Sequence, residues 1–280
     1  MNAKRRDKKG VKKRDGRKKT GRSATITPRD DAIMLALFLC RYLSTAQLAI
    51  LFFNSKSAAR RRLAELANKG YLEPRSLYAT MPTWDRRGKC ENVWHLTKQG
   101  FEMVAESLGL DDERYVPKQL GQEGAIHHVK TAEVYVAAKA DLDEILGPYP
   151  AWNWEHEKRA QDSYRYSGRL MGHQPDAHVR FADHLFVVER QTRESRVGPK
   201  AIDDKVSSHA TYARVRLDEP DKMDVLFACD DKRVAELAER AGKRYGIDVV
   251  AGSVEHAAFY LYQSALRLAP EAGETVHTHS

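Results

Sequence analysis

Cysteine is scarce: Cys40, Cys90 and Cys229 are the only three in 280 residues, far apart and without a CxxC pair. They support neither a disulfide framework nor a zinc site, and they suit a reducing cytosol. No run approaches 18 uninterrupted apolar residues, so no membrane span is expected. The basic start is not followed by an apolar stretch with a small-residue cleavage site, so no secretory signal is expected either. Glycine-rich phosphate loops of the GxxxxGK[ST] and GxGxxG types are missing, which argues against an ATPase or a dinucleotide enzyme. There is also no GxSxG and no cysteine placed as a nucleophile.

What is present is a soluble composition, 42% apolar and 31% charged, in a length that suits two domains of roughly 100–200 residues each. The net charge of +8 is unevenly spread. Residues 1–22 hold twelve Lys/Arg against two Asp, and residues 23–100 twelve basic against six acidic. Residues 101–280 reverse the sign, with 23 basic and 31 acidic. A basic first third on an acidic remainder points to nucleic-acid binding at the N-terminal end.

Residues 1–24 contain almost no apolar side chain and read as a disordered cationic arm. Its lysines and arginines, Lys12, Lys13 and Arg14 among them, would hold phosphates without reading sequence; a solubilising tail is the other reading. Thr27-Pro28 with Asp30 and Asp31 opens a helix expected to stop near Tyr42-Leu43. Ser44 or Thr45 caps a second, short helix, and Asn54-Ser55 a third, from Lys56 to about Lys69. In that third helix Ala59, Leu63 and Leu66 form a buried stripe, leaving Lys56, Ser57, Arg60, Arg61 and Ala64 outside. Small and basic residues there suit a DNA groove. Gly70-Tyr71-Leu72-Glu73 and Glu91–Leu96 read as strands flanking a wing with Arg86, Arg87 and Lys89 at its tip. Thr97-Lys98-Gln99-Gly100 opens a further helix. This order is that of a winged helix-turn-helix over residues 25–110. A small helical domain with a merely solvated basic face is the alternative.

A polar linker over 111–124 leads to a helix from about Ala125 to Leu146, with Val129, Ala132, Val136 and Ala137 as its apolar face. Strands are expected at Trp152–Glu155, His178–Phe181, Leu185–Glu189, Met223–Ala228 and Ile247–Val250. Helices are expected near Lys200–Arg214, Asp231–Ala241 and Val254–Leu268, before a frayed tail at 270–280. The fold class is therefore α+β or α/β. The domain at 125–269 has the layout of a PD-(D/E)xK nuclease-like fold. Its candidate catalytic residues are Glu133, Asp176, Glu189 and Gln191, with Asp176 and Glu189 as the candidate Mg2+ ligands. Such a site needs carboxylates converging on the ion to activate water, and a lysine two residues beyond the last carboxylate. That place holds Gln191, and Val187 faces the same way as Glu189, so the constellation is incomplete and a binding role is preferred. His127, His128, His173, His178 and His184 show no ligand spacing. Adjacent helical residues point about 100° apart, so His127 and His128 do not readily share an ion.

The pattern from about Arg29 to Leu268 resembles the replication-relaxation family of bacterial mobile elements, plasmids and actinobacterial chromosomes. The resemblance rests on Arg29-Asp30, Leu43–Leu48, Ser57–Leu63 and Trp94–Gly100. In the second half it rests on His128 with Glu133, Pro175-Asp176-Ala177, Val188–Thr192, Lys205 and Tyr212. The family tends to carry an acid where this chain has Val187, which further weakens an inherited nuclease activity. The resemblance implies a DNA-binding accessory protein of plasmid or mobile-element replication or transfer. Its expected partners are double-stranded DNA, a replication or relaxosome protein, and a second copy of itself; no cofactor is expected beyond Mg2+ in the nuclease case. A nuclease or nickase, and a winged-helix transcription repressor, are the alternatives. The expected location is cytoplasmic, on nucleoid or plasmid.

Overall fold

The computed structural model describes residues 25–77, 91–110, 120–192, 197–217 and 222–269. Helix α1 (Pro28–Cys40) starts on a capping box, in which Thr27 Oγ1 accepts from Asp30 N and the Asp30 carboxylate accepts from Thr27 N. It ends at Cys40, two to three residues earlier than expected, where Arg41 takes φ 67°. Strand β1 (Leu43–Ser44) leads into α2 (Thr45–Phe52), which Ser44 caps with Gln47 as reciprocal partner. Ser55 caps α3 (Lys56–Asn68), whose Ala59, Leu63 and Leu66 are fully buried as the spacing requires.

Gly70 and Tyr71 belong to the turn and not to the strand, because Gly70 lies at φ 85°. Strand β2 accordingly spans Leu72–Leu77 and pairs antiparallel with β3 (Glu91–Leu96), whose other edge carries β1. Helix α4 (Lys98–Ser107) is capped by Thr97. Gly100 on it is required, because a Cβ there would collide with the Tyr71 carbonyl. Three helices, a three-stranded sheet in the order β1-β3-β2 and a fourth helix give this part the order of a winged helix, and the segment between β2 and β3 expected to form the wing lies outside the described residues.

Helix α5 (Gln122–Leu146) begins inside the stretch expected to be linker. Its buried face runs through Ala125, Val129, Ala132, Tyr135 and Ala138, whereas Ala137, expected on that face, is exposed. The remaining elements are β4 (Trp152–His156), the single turn α6 (Glu157–Ala160), β5 (Asp162–Tyr166), β6 (Arg169–His173), β7 (Ala177–Phe181) and β8 (His184–Gln191). They continue with α7 (Pro199–Arg216), β9 (Met223–Cys229), α8 (Lys232–Tyr245), β10 (Asp248–Gly252) and α9 (Val254–Leu268). The β5–β6 hairpin was not anticipated.

The main sheet runs in the order β10-β9-β8-β7-β4, with β8, β9 and β10 mutually parallel and β7 antiparallel to both of its neighbours, β8 and β4. Both of its faces are buried. Phe186, Val188, Leu226 and Ala228 pack toward α5 and α9, while Leu185, Val187, Val225 and Phe227 pack toward α7 and α8. That double burial is why β8 and β9 read as continuous apolar runs. One hydrophobic cluster joins Leu37, Leu48 and Trp94 of the winged helix to Tyr135, Trp154 and Leu261 of the α/β part. Gln47 Nε2–H donates across the same boundary to the Val129 carbonyl at 2.8 Å. Among the described residues, no helix is long and apolar enough to cross a membrane.

Candidate functional site

The first candidate surface is the outer side of α3. Lys56, Ser57, Arg60, Arg61 and Ala64 are all exposed, as the stripe opposite them requires. The next arginine behaves differently. Arg62 Nε–H donates to Asp30 Oδ1 at 2.8 Å, its Nη2 bonds the other Asp30 oxygen, and Nη1 reaches Glu65 at 2.7 Å. Burial would raise the Asp30 carboxyl, but the hydrogen bonds from Arg62 and Thr27 outweigh it and hold the group at about 2. Arg62 therefore fastens α3 to α1. Arg60 and Arg61 make no ion pair among the described residues and face solvent. Arg86, Arg87 and Lys89 of the wing, and Lys12, Lys13 and Arg14 of the arm, lie outside the described residues.

The second candidate site is at the β7–β8 ladder. Ala177 pairs with Val188, so continuing the register sets Asp176 across from Glu189. Asp176 Oδ1 meets His127 Nε2 at 3.0 Å, and Oδ2 accepts from Arg190 N at 2.7 Å. Burial pushes the Asp176 carboxyl up, but the His127 hydrogen bond and the charge of Lys205 dominate and hold it well below the usual carboxylate range. The bond to Asp176 raises His127 in turn, against its own burial.

Glu189 is not a solvated rim residue, since it is wholly buried. One of its oxygens accepts from Lys205 Nζ, and Oε1 accepts from His209 Nε2 at 2.9 Å. His209 Nδ1 in turn meets His173 Nε2 at 2.9 Å. Burial, followed by the neighbouring His209, drives His173 down to about 2, so it stays neutral.

The other two expected catalytic residues, Glu133 and Gln191, are engaged by different partners. Glu133 is engaged by Lys130 at 2.8 Å and by Arg190 at 2.9 Å, and so belongs with the arginine. The Arg190 guanidinium is buried, and it also binds Asp230 at 2.6 Å and the carbonyls of Gln191 and Ala228. Gln191 is buried as the end of β8, its carbonyl accepting from Asp230 N at 3.0 Å. The cation missing at that position is supplied by Lys205, one and a half helical turns into α7. In the sequence Lys205 stood out only through the family pattern. The pair His127 and His128 divides as its helical spacing demands. His128 meets Glu157 at 3.2 Å and packs beside Tyr42, at the junction with the winged helix.

Bound Mg2+ needs carboxylate oxygens that are open to it. Here all four oxygens of Asp176 and Glu189 already accept hydrogen bonds from the protein. Among the described residues no group of three His, Cys, Asp or Glu side chains is placed to hold an ion. An ion bound there would share these oxygens with, or displace, His127, the Arg190 backbone, Lys205 and His209.

A family model described as Replication-relaxation matches residues 36–225. No curated protein matches the chain. Among solved structures, protein VC1899 from Vibrio cholerae is similar at 11% identity and a TM-score of 0.39, over 87% of this chain and 58% of that one. The restriction endonuclease FokI bound to DNA is similar at 10% identity and a TM-score of 0.30, over 85% of this chain and 44% of that one. The chain thus spans less than two thirds of either structure.

Proposed function

Since this chain belongs to the replication-relaxation family, we propose that it is a sequence-specific duplex-DNA-binding accessory protein of plasmid or mobile-element replication or transfer. The observation that carries the reading is the division of labour along α3. Arg62 is consumed inside by Asp30, while Lys56, Ser57, Arg60 and Arg61 form an exposed basic strip on a helix-turn-helix. A helix presented this way enters the major groove, where arginine reads guanine edges and lysine or serine reaches phosphate or base. The wing and the arm add phosphate contacts that carry no sequence information. The α/β domain engages DNA, a replication or relaxosome protein, or a second copy of the chain.

The test is selection of sheared host and plasmid DNA by the full-length protein, followed by sequencing and by affinity measurements on the recovered sites. Discrete sites are expected. Arg60→Ala should cost about 1–3 kcal/mol on those sites and little on unrelated DNA. Equal losses on all DNA would overturn specific readout.

A metal-dependent nuclease is the second reading, and Lys205 beside Glu189 and Asp176 is the observation that favours it. The protein donors already engaged by each oxygen of both carboxylates weigh against it, because an ion would have to share or displace them. Incubating supercoiled plasmid with the protein and Mg2+ or Mn2+ separates the two. No cleavage is expected; cleavage abolished by Asp176→Ala would establish the enzyme.

A further inference from the structure

The β5–β6 ribbon belongs to neither of the candidate sites, and its surface is unusual. Its turn is a two-residue one, with Ser167 at φ 48° and Gly168 at φ 77°, the type I′ geometry that matches strand twist and makes a stiff hairpin. Cross-strand partners share a face. Tyr164 and Met171 form one pair, Tyr166 and Arg169 another on that same face, and Arg165 with Leu170 a pair on the opposite face. The root is fixed to the domain. Tyr164 is buried against Tyr212 with ring centroids 5.7 Å apart, and His173 stacks on Tyr212 at 3.7 Å. The tip runs past these contacts. Leu170 is 71% exposed and Tyr166 50%, and each has an arginine as its cross-strand partner.

Charge decides what such a tip suits. Residues 158–180 hold five Lys/Arg and two Asp, within a C-terminal part that is otherwise acidic. Both acids are occupied, Asp162 by Arg216 and Asp176 by His127 and the Arg190 backbone. Arg165 and Arg169 make no ion pair among the described residues. Exposed apolar groups set between uncompensated arginines complement a polyanion with apolar base edges better than they complement an apolar protein face. The shape agrees, because the major groove admits a two-stranded ribbon. At about 3.4 Å per residue the ribbon extends roughly 14 Å from His173 to its tip. His173 is linked through His209 to Glu189, so the ribbon is rooted beside the acidic ladder.

We propose that the β5–β6 ribbon is a second DNA-contacting element, laid in the major groove by its Arg165/Leu170 face, with Leu170 against base edges and Arg165 on a phosphate, while Tyr166 and Arg169 on the other face border the phosphates of the groove wall. The proposal rests on the reading of the protein as a duplex-DNA binder, and adds a surface on the α/β domain to the one on α3.

The experiment is fluorescence anisotropy with the full-length protein on duplexes of about 40 base pairs, over a salt series. The variants are Arg165→Gln/Arg169→Gln, Leu170→Ser and Arg60→Ala, each checked for an unchanged thermal midpoint. The double variant should bind every duplex on the order of tenfold more weakly, with a salt slope shallower by about 2. Leu170→Ser should weaken binding several-fold and leave the slope unchanged. Wild-type affinity and slope in both ribbon variants, with Arg60→Ala still impaired, would overturn the ribbon proposal and leave the α3 reading standing. Wild-type DNA binding combined with lost self-association would overturn it in favour of protein pairing. Absence of any duplex binding by the parent protein would overturn both.

Discussion

Lys205 of α7 donates to the buried carboxylate of Glu189 on β8, sixteen residues away in the chain. Glu189 thereby has a cation at hand although the position two residues beyond it is a glutamine. Replacing Lys205 by Ala leaves Glu189 wholly buried with only His209 beside it. A loss of about 2–3 kcal/mol in urea unfolding is expected, below the 3–5 of a fully enclosed pair because the lysine reaches solvent. Adding Glu189→Gln to Lys205→Ala should recover part of that loss. Additive losses would show that the pair is not coupled.

Arg190 is a different kind of cation, held by Glu133, Asp230 and two carbonyls with its side chain buried. Arg190→Met should destabilise by about 3–5 kcal/mol because it strands two carboxylates. Arg190→Lys should not restore the parent stability, since an ammonium cannot reproduce the planar fork. Unfolding midpoints of the two variants check this.

On α3 two arginines separated by one residue should have opposite phenotypes. Asp30 is held at about 2 in the folded protein and titrates near 3.8 when unfolded. A depressed carboxylate stabilises above its unfolded value and loses that stability as pH falls toward the folded one. Arg62→Ala should therefore cost roughly 2 kcal/mol at neutral pH, an effect that shrinks between about pH 4 and pH 2. DNA affinity should change little. Arg60→Ala should leave the melting temperature unchanged and weaken cognate DNA binding. If Arg62→Ala proves the more damaging to DNA binding at temperatures where it is folded, the assignment of the exposed face is wrong.

The buried histidines give the protein an acid limit. Burial, then the neighbouring charges of His128 and Arg41, pushes His156 well below its ordinary value. His173 lies at about 2. Both remain neutral in the fold, whereas the unfolded chain gains their protons below about pH 6.5, so stability falls as pH drops. By pH 5.5 each should cost about 1.4 kcal/mol. His127, raised by Asp176, opposes the trend. Thermal melts from pH 7.5 to 5.5 should show a falling midpoint, and His173→Gln should flatten the slope. A midpoint independent of pH over that range would contradict buried neutral rings.

Much of the chain was legible one element at a time, because its signals are local. Thr27, Ser44, Ser55 and Thr97 each cap the helix that follows them. The stripe of Ala59, Leu63 and Leu66 announced both the buried and the exposed face of α3. The ribbon escaped notice because Asp162–His173 has no run of apolar residues, although Ser167-Gly168 is a turn signal. Ala137 lies outside the buried face because the stripe through Ala125, Val129, Ala132, Tyr135 and Ala138 advances in steps of three and four residues that pass over it.

The sequence alone determined the helices and flanking strands of the winged-helix part, the order of the five main-sheet strands and the long helices of the α/β domain, and the basic-to-acidic division. These follow from capping, periodicity and composition, which act over a few residues. Only the tertiary structure decided that Lys205 and His209 serve Glu189, that Arg62 turns inward while Arg60 does not, and that Glu133 joins Arg190. The reason is physical. A buried charge takes whichever opposite charge the packing brings within about 3 Å, and that distance depends on how helices settle on the sheet rather than on spacing along the chain.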